Sequence, residues 1–100
     1  MIHHVVLWTF REEAQGAAKT ENLRAAKAAL DSLVGKVPEI RTFLVGVDIV
    51  RSEHSYDLAL VSTFDTLADL RSYQAHPAHQ EVATFLRTLH NGRVTADFEQ

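Results

Sequence analysis

The sequence predicts an α+β fold of order β-α-β-β-α-β, four antiparallel strands with the helices packed on one face of the sheet. Three observations carry this expectation. Short runs rich in Val, Leu, Ile and aromatic residues recur at four places along the chain. Two segments between them repeat apolar residues at helical spacing. Only a short polar loop separates the second and third runs, so those two read as a hairpin.

The first strand, Ile2 to Phe10, is apolar on both faces, with His4, Val6, Trp8 and Phe10 alternating with Val5 and Leu7. Such a strand expects cover on two sides. After a polar, Ala-rich stretch, Leu23, Ala26, Leu30, Leu33 and Val34 mark a helix with Thr20 as its expected N-cap. Gly35 and Pro38 are the expected stop. Phe43, Val45, Val47 and Ile49 then mark a long strand from Ile40 to Val50, in which Gly46 reads as a bulge or a point of close approach. Arg51 to Ser55 is the loop, and Tyr56 to Phe64 the third strand. Asp65 and Thr66 open the next helix, with Asp69 completing its start and Leu67, Leu70 and Tyr73 on one face.

That helix is interrupted at His76-Pro77, because proline lacks an N–H and pushes the preceding residue out of the helical region. Pro77 suits the first turn of a new segment, where Val82, Phe85, Leu86 and Leu89 follow helical spacing with His79 on or beside the same face. Asn91-Gly92 reads as a left-handed stop, and Arg93 to Phe98 as the last strand.

One hundred residues, 46% hydrophobic and 23% charged, make a single domain over residues 1–100. A net charge of -3 offers no basic footprint for nucleic acid. The absence of cysteine excludes disulfides, thiolate metal sites and a cysteine nucleophile. No apolar run is long enough to span a bilayer, and the start lacks a signal-peptide pattern, so a cytoplasmic location is the expectation. Helices on one face leave Val5, Leu7 and their neighbours on the other face in water. Contiguous apolar patches of this kind mark interfaces. The expected partner is therefore a second copy, in an isologous homodimer through the open face of the sheet.

The chemistry gathers between Tyr73 and His79. Imidazole titrates near neutrality, so His79 is a candidate general base toward a carbon next to a carbonyl. Tyr73 is a candidate donor to the developing enolate oxygen. On the simpler reading Tyr73 packs with Leu70, His79 bonds locally and His76 caps the helix. Trp8 and Phe10 suit a pocket wall, though aromatics on a two-sided strand more often form core. His3 and His4 face opposite sides of their strand and cannot share a site. His54 is expected in an exposed loop, and His90 at the end of the helix dipole that favours its cation. Asp57 and Asp97 lie at strand positions where each needs a partner. His76 and His79 straddle the helix break with no third ligand beside them, so no metal is expected, and no cofactor.

Five runs resemble the Dabb proteins, the stress-responsive dimeric α/β-barrel domains. They are His4 to Glu13 (HVVLWTFREE), Phe43 to Gly46 (FLVG), Tyr56 to Val61 (YDLALV) followed by Phe64, Tyr73 to His79 (YQAHPAH) and Val94 to Glu99 (VTADFE). Together they cover nearly the whole chain in order. The resemblance implies a ferredoxin-like subunit whose sheet pairs with a second copy to form a barrel. Some members are stress-induced plant proteins, and one plant member closes a linear polyketide by an intramolecular aldol condensation. By motif position its tyrosine and histidine fall on Tyr73 and His79, and a pocket histidine on His4. A second pocket histidine of that cyclase falls on Leu58, a departure from its pattern. His4, Val6, Trp8, Leu58, Leu60 and His76 are the expected pocket lining. Two functions are carried forward: a dimeric binder of a small apolar or carbonyl-containing molecule, and a cofactor-independent cyclase or lyase of the aldol type.

Overall fold

Strand β1, Ile2–Phe10, alternates buried and half-buried residues along its whole length in the computed structural model, which describes residues 1–100. Ile2, His4, Val6, Trp8 and Phe10 are buried, while His3, Val5, Leu7 and Thr9 take the other face, as the two-residue strand period requires. The Ala-rich stretch that follows forms a small hairpin, β2 (Glu13–Ala14) and β3 (Ala17–Ala18). Gln15 and Gly16 turn it with φ of 53° and 75°, the left-handed pair that a two-residue hairpin turn needs. The buried Asn22 side chain donates to the carbonyls of Ala14 and Ala17, clamping this hairpin onto the next helix.

That helix, α1 (Lys19–Asp31), starts earlier than Thr20 predicts: Ala18 is its N-cap and makes no side-chain cap. The reason is the hairpin. β3 runs directly into the helix, and Lys19 N–H is already bonded to the Glu12 carbonyl. The helix also ends before Gly35, whose φ of +92° falls in the irregular turns beyond it. Leu33 is buried there but Val34 is exposed.

β4 (Thr42–Val47) is shorter than the Ile40 to Val50 run. The Asp48 carboxylate accepts from Arg51 N–H and turns the chain, leaving Ile49 and Val50 in solvent. Gly46 is neither a bulge nor a close approach, because register with the next strand is unbroken and an added Cβ would meet open space. β5 (Leu58–Phe64) completes the hairpin. Just before it, the Asp57 carboxylate accepts from Phe10 N–H at 2.7 Å and lies 3.4 Å from Lys19 Nζ. Asp57 thus ties β1, α1 and β5 together.

α2 (Leu67–Ala75) is capped by Thr66, whose hydroxyl accepts from Asp69 N–H. Leu70 and Tyr73 are buried, whereas Leu67 stands in solvent at the first turn. α3 (Pro77–Arg87) begins at the proline with His76 as N-cap. Leu86 and the following Leu89 are buried, and Phe85 is displaced to the exposed side. β6 (His90–Glu99) follows almost at once. Asn91-Gly92 lies inside this strand and Gly92 has no positive φ. It is required for a different reason: a Cβ there would sit 2.5 Å from Thr9 Oγ1, where Thr9 donates to Asn91.

The sheet order is β4-β5-β1-β6 with every neighbouring pair antiparallel, the ferredoxin-like arrangement. One face carries the helices and the core. Across the other run two apolar rows, Leu44-Val61-Val5-Ala96 and Gly46-Ala59-Leu7-Val94. Beside them His3 stacks flat on Phe98 with ring centroids 5.0 Å apart. No helix is long and apolar enough to cross a membrane.

Candidate functional site

The helix break builds the site. Pro77 has no N–H to offer the last turn of α2, and Ala78 N–H is diverted to His76 Nδ1 at 3.0 Å. The Gln74 carbonyl is thereby left without a helical donor, a group that must find another partner. His79 supplies it, with Nδ1 donating to Gln74 O at 3.1 Å. A carbonyl only accepts, so the proton sits on Nδ1 and Nε2 keeps a free lone pair. The proline thus positions a histidine and selects its tautomer.

Tyr73 lies against this ring, with centroids 4.5 Å apart and planes at 59°. Phe64, Phe43 and His4 surround the phenol at 5.0, 6.2 and 6.2 Å. Only 1% of Tyr73 is exposed, and its hydroxyl has no protein partner. Burial pushes its pKa far above the ordinary phenol range, with Arg93 opposing slightly, so at neutral pH it is a proton donor. Burial lowers His79 as well; the Gln74 carbonyl works against this, and His4, Arg93 and Arg87 add to it. His79 is therefore a neutral base at pH 7. His4, on β1, is buried, and its Nδ1 is hydrogen-bonded to the Asp97 carboxylate on β6.

These side chains border a cavity of about 290 Å³ between helices and sheet, large enough for a small ligand. His4, Val6, Trp8, Leu60, Tyr73 and His79 all line it. Leu58 and His76 do not. Leu58 sits at the start of β5, paired with Trp8 and Val47 and buried in the core. His76 is occupied as the α3 cap. Arg87, His90 and Arg93, none of them expected in the lining, also border the cavity.

His90 and Arg93 are three apart and belong on opposite faces of a regular strand. The register shift at Thr9 and Phe10 changes this: His90 lies opposite Phe10, and Arg93 opposite Trp8. A bulge therefore returns both to the helix side. His90 is thus not a dipole-stabilised cation. Burial lowers its pKa, and the guanidiniums of Arg93, Arg11 and Arg87 lower it further. No group of three or more His, Asp or Glu is placed to hold a metal ion.

The two depressed histidines set a pH dependence for stability. The unfolded chain takes up their protons near the ordinary value of 6.5, before the folded chain does. Stability contributed by the neutral rings is complete above that pH and is lost as pH falls through the folded-state values. The urea midpoint is expected to drop between about pH 7.5 and about pH 5.5. The double variant His79→Gln/His90→Gln is expected to flatten that slope, and an unchanged slope would contradict this assignment.

The family model of the stress responsive A/B barrel domain matches residues 2–100. A dimeric ferredoxin-like protein of unknown function from Bacteroides fragilis is 29% identical, with a TM-score of 0.88 over 99% of this chain and 95% of its own. A dimeric ferredoxin-like protein of unknown function from Jannaschia is 27% identical, with a TM-score of 0.74 over 99% and 98% of the two chains. Hydroxynitrile lyase from Passiflora edulis shares the fold at 19% identity, with a TM-score of 0.81 over 97% of this chain and 90% of that one. No curated protein matches by sequence. With its family model spanning nearly every residue, the chain belongs to the stress responsive A/B barrel, or Dabb, family.

Proposed function

We propose that this Dabb chain works as a homodimer that binds a small, largely apolar, carbonyl-containing molecule in the cavity between helices and sheet. The observation that carries this is the Tyr73-His79 pair, 4.5 Å apart on the wall of a 290 Å³ cavity. One member is a protonated phenol without a protein partner, and the other offers a free Nε2 lone pair. Val6, Leu60, Val82 and Leu86 supply apolar walls suited to an alkyl or aryl chain. The carbonyl oxygen would accept from Tyr73.

Trp8 also lines the cavity and is the only tryptophan of the chain, so its emission reports occupancy. Titration with hexanoylacetone, an alkyl β-diketone, is expected to change Trp8 emission saturably. A linear, non-saturating response would overturn the reading.

The free Nε2 favours a second reading, a cofactor-independent cyclase or lyase of the aldol type. His79 Nε2 removes a proton from the carbon next to a carbonyl. The C–H electron pair forms an enolate, whose oxygen accepts from Tyr73. The enolate carbon attacks a second carbonyl of the same molecule, and the resulting alkoxide recovers the proton from the His79 imidazolium. The first half of this sequence is read by deuterium uptake at the acetyl methyl of hexanoylacetone.

The dimer reading rests on the open face. Leu44, Val61, Val94 and Phe98 are all substantially exposed there, and a second copy of the same face would remove them from water. The dimeric relatives support the same assembly. In sedimentation at micromolar concentration the parent chain is expected to run as a dimer. Val61→Glu places an unpaired charge on each side of the two-fold axis and is expected to yield monomer. A folded parent monomer would refute the assembly.

A further inference from the structure

The cavity has a charge that the rest of the chain does not. Overall, 13 acidic residues outnumber 10 basic ones, yet the lining holds two arginines, three histidines and no Asp or Glu. Arg87 projects from the end of α3 and Arg93 from β6, and both are exposed, which places them at the opening. The chain's Lys and Arg ion pairs are made by Lys19, Lys27 and Arg41. Arg87 reaches only the Thr84 hydroxyl, and Arg93 has no carboxylate partner. His90 lines the same cavity, with its Nδ1 shut off from solvent and without a hydrogen-bond partner. Arg11, just beyond β1, adds a third guanidinium near the same ring.

We propose that the ligand carries a carboxylate, received at the cavity mouth by Arg87 and Arg93, with its carbonyl lying deeper against Tyr73 and His79. This rests on the binding function proposed above and names the substrate class as a keto acid. Guanidinium groups present a fork that matches a carboxylate. Asp97 is engaged by His4, and neither Arg87 nor Arg93 forms an ion pair with it. The bulge at Thr9 and Phe10 acquires a purpose on this account, because without it His90 and Arg93 would face opposite sides of the sheet.

The test compares β-benzoylpropionate with its methyl ester, which replaces the negative charge by a neutral ester one methyl group larger, by calorimetry on the intact protein at low salt. The acid is expected to bind at least about tenfold more tightly, the size of one charge-assisted hydrogen bond. The preference should shrink in Arg93→Gln and approach unity in Arg87→Gln/Arg93→Gln. Both positions are exposed, and circular dichroism of the variants checks that the fold is kept. Equal binding of acid and ester would overturn the carboxylate assignment while leaving the binding reading intact. If neither compound binds, the binding reading falls as well.

Discussion

Replacing His79 with Ala is expected to slow deuterium uptake at the acetyl methyl of hexanoylacetone by about 10²-fold or more. The ring is the only base in the cavity whose tautomer is set by a backbone carbonyl, and that bond leaves Nε2 facing no protein donor. Tyr73→Phe tests the other half of the pair. It keeps the ring contacts with Phe64 and His79 and removes only the hydroxyl, so stability is expected to hold while uptake falls about 10²-fold. The pH profile separates chemistry from folding. Because burial depresses His79 below 6.5, the parent rate should be flat above neutrality and fall only on the acid side. A parent profile that instead rises well above neutrality would assign the proton transfer to a different group.

Phe64→Ala carries the largest expected cost in stability, about 3–5 kcal/mol. Phe64 is fully buried at the end of β5, and its ring supports Tyr73 at 5.0 Å and His4 at 6.5 Å. The substitution leaves a cavity where α2 meets the sheet. Against a typical domain stability of about 5–15 kcal/mol, the loss is a large share of the total and should appear as a strongly lowered urea midpoint. Phe64→Leu retains most of the volume and is expected to cost much less. If both variants unfolded at the parent midpoint, this ring would not be the link between α2 and the sheet.

Most of the architecture was legible because its signals are local. The two-residue alternation of β1, the Thr66 cap and the His76-Pro77 break each follow from a few neighbouring residues, and each stands in the structure where the pattern puts it. Element ends were less legible, because they depend on partners far along the chain. The hairpin of β2 and β3 moves the start of α1 away from Thr20, and the Asp48 turn ends β4 before Ile49.

The site divides in the same way. Tyr73, His79 and His4 were visible as residue types at meaningful positions. Leu58 and His76 were misplaced because one is consumed by core packing and the other by capping. Arg87 sits on a helical face that the apolar spacing of Val82 and Leu86 does not announce. His90 and Arg93 were hidden by a bulge, which no period-two reading of a single strand can reveal. Asp97 stood out only as a carboxylate in need of a partner, and the structure supplies His4.

Side-chain magnetic resonance tests most directly whether Tyr73 and His79 face one ligand-binding space. Hexanoylacetone added to the labelled protein is expected to move the His79 Cε1–H, Tyr73 ring and Trp8 indole resonances together, along one saturable curve. His54 is exposed and does not line the cavity, and it should stay still. Shifts scattered over the surface, or no shift at His79 and Tyr73 up to millimolar ligand, would contradict the account.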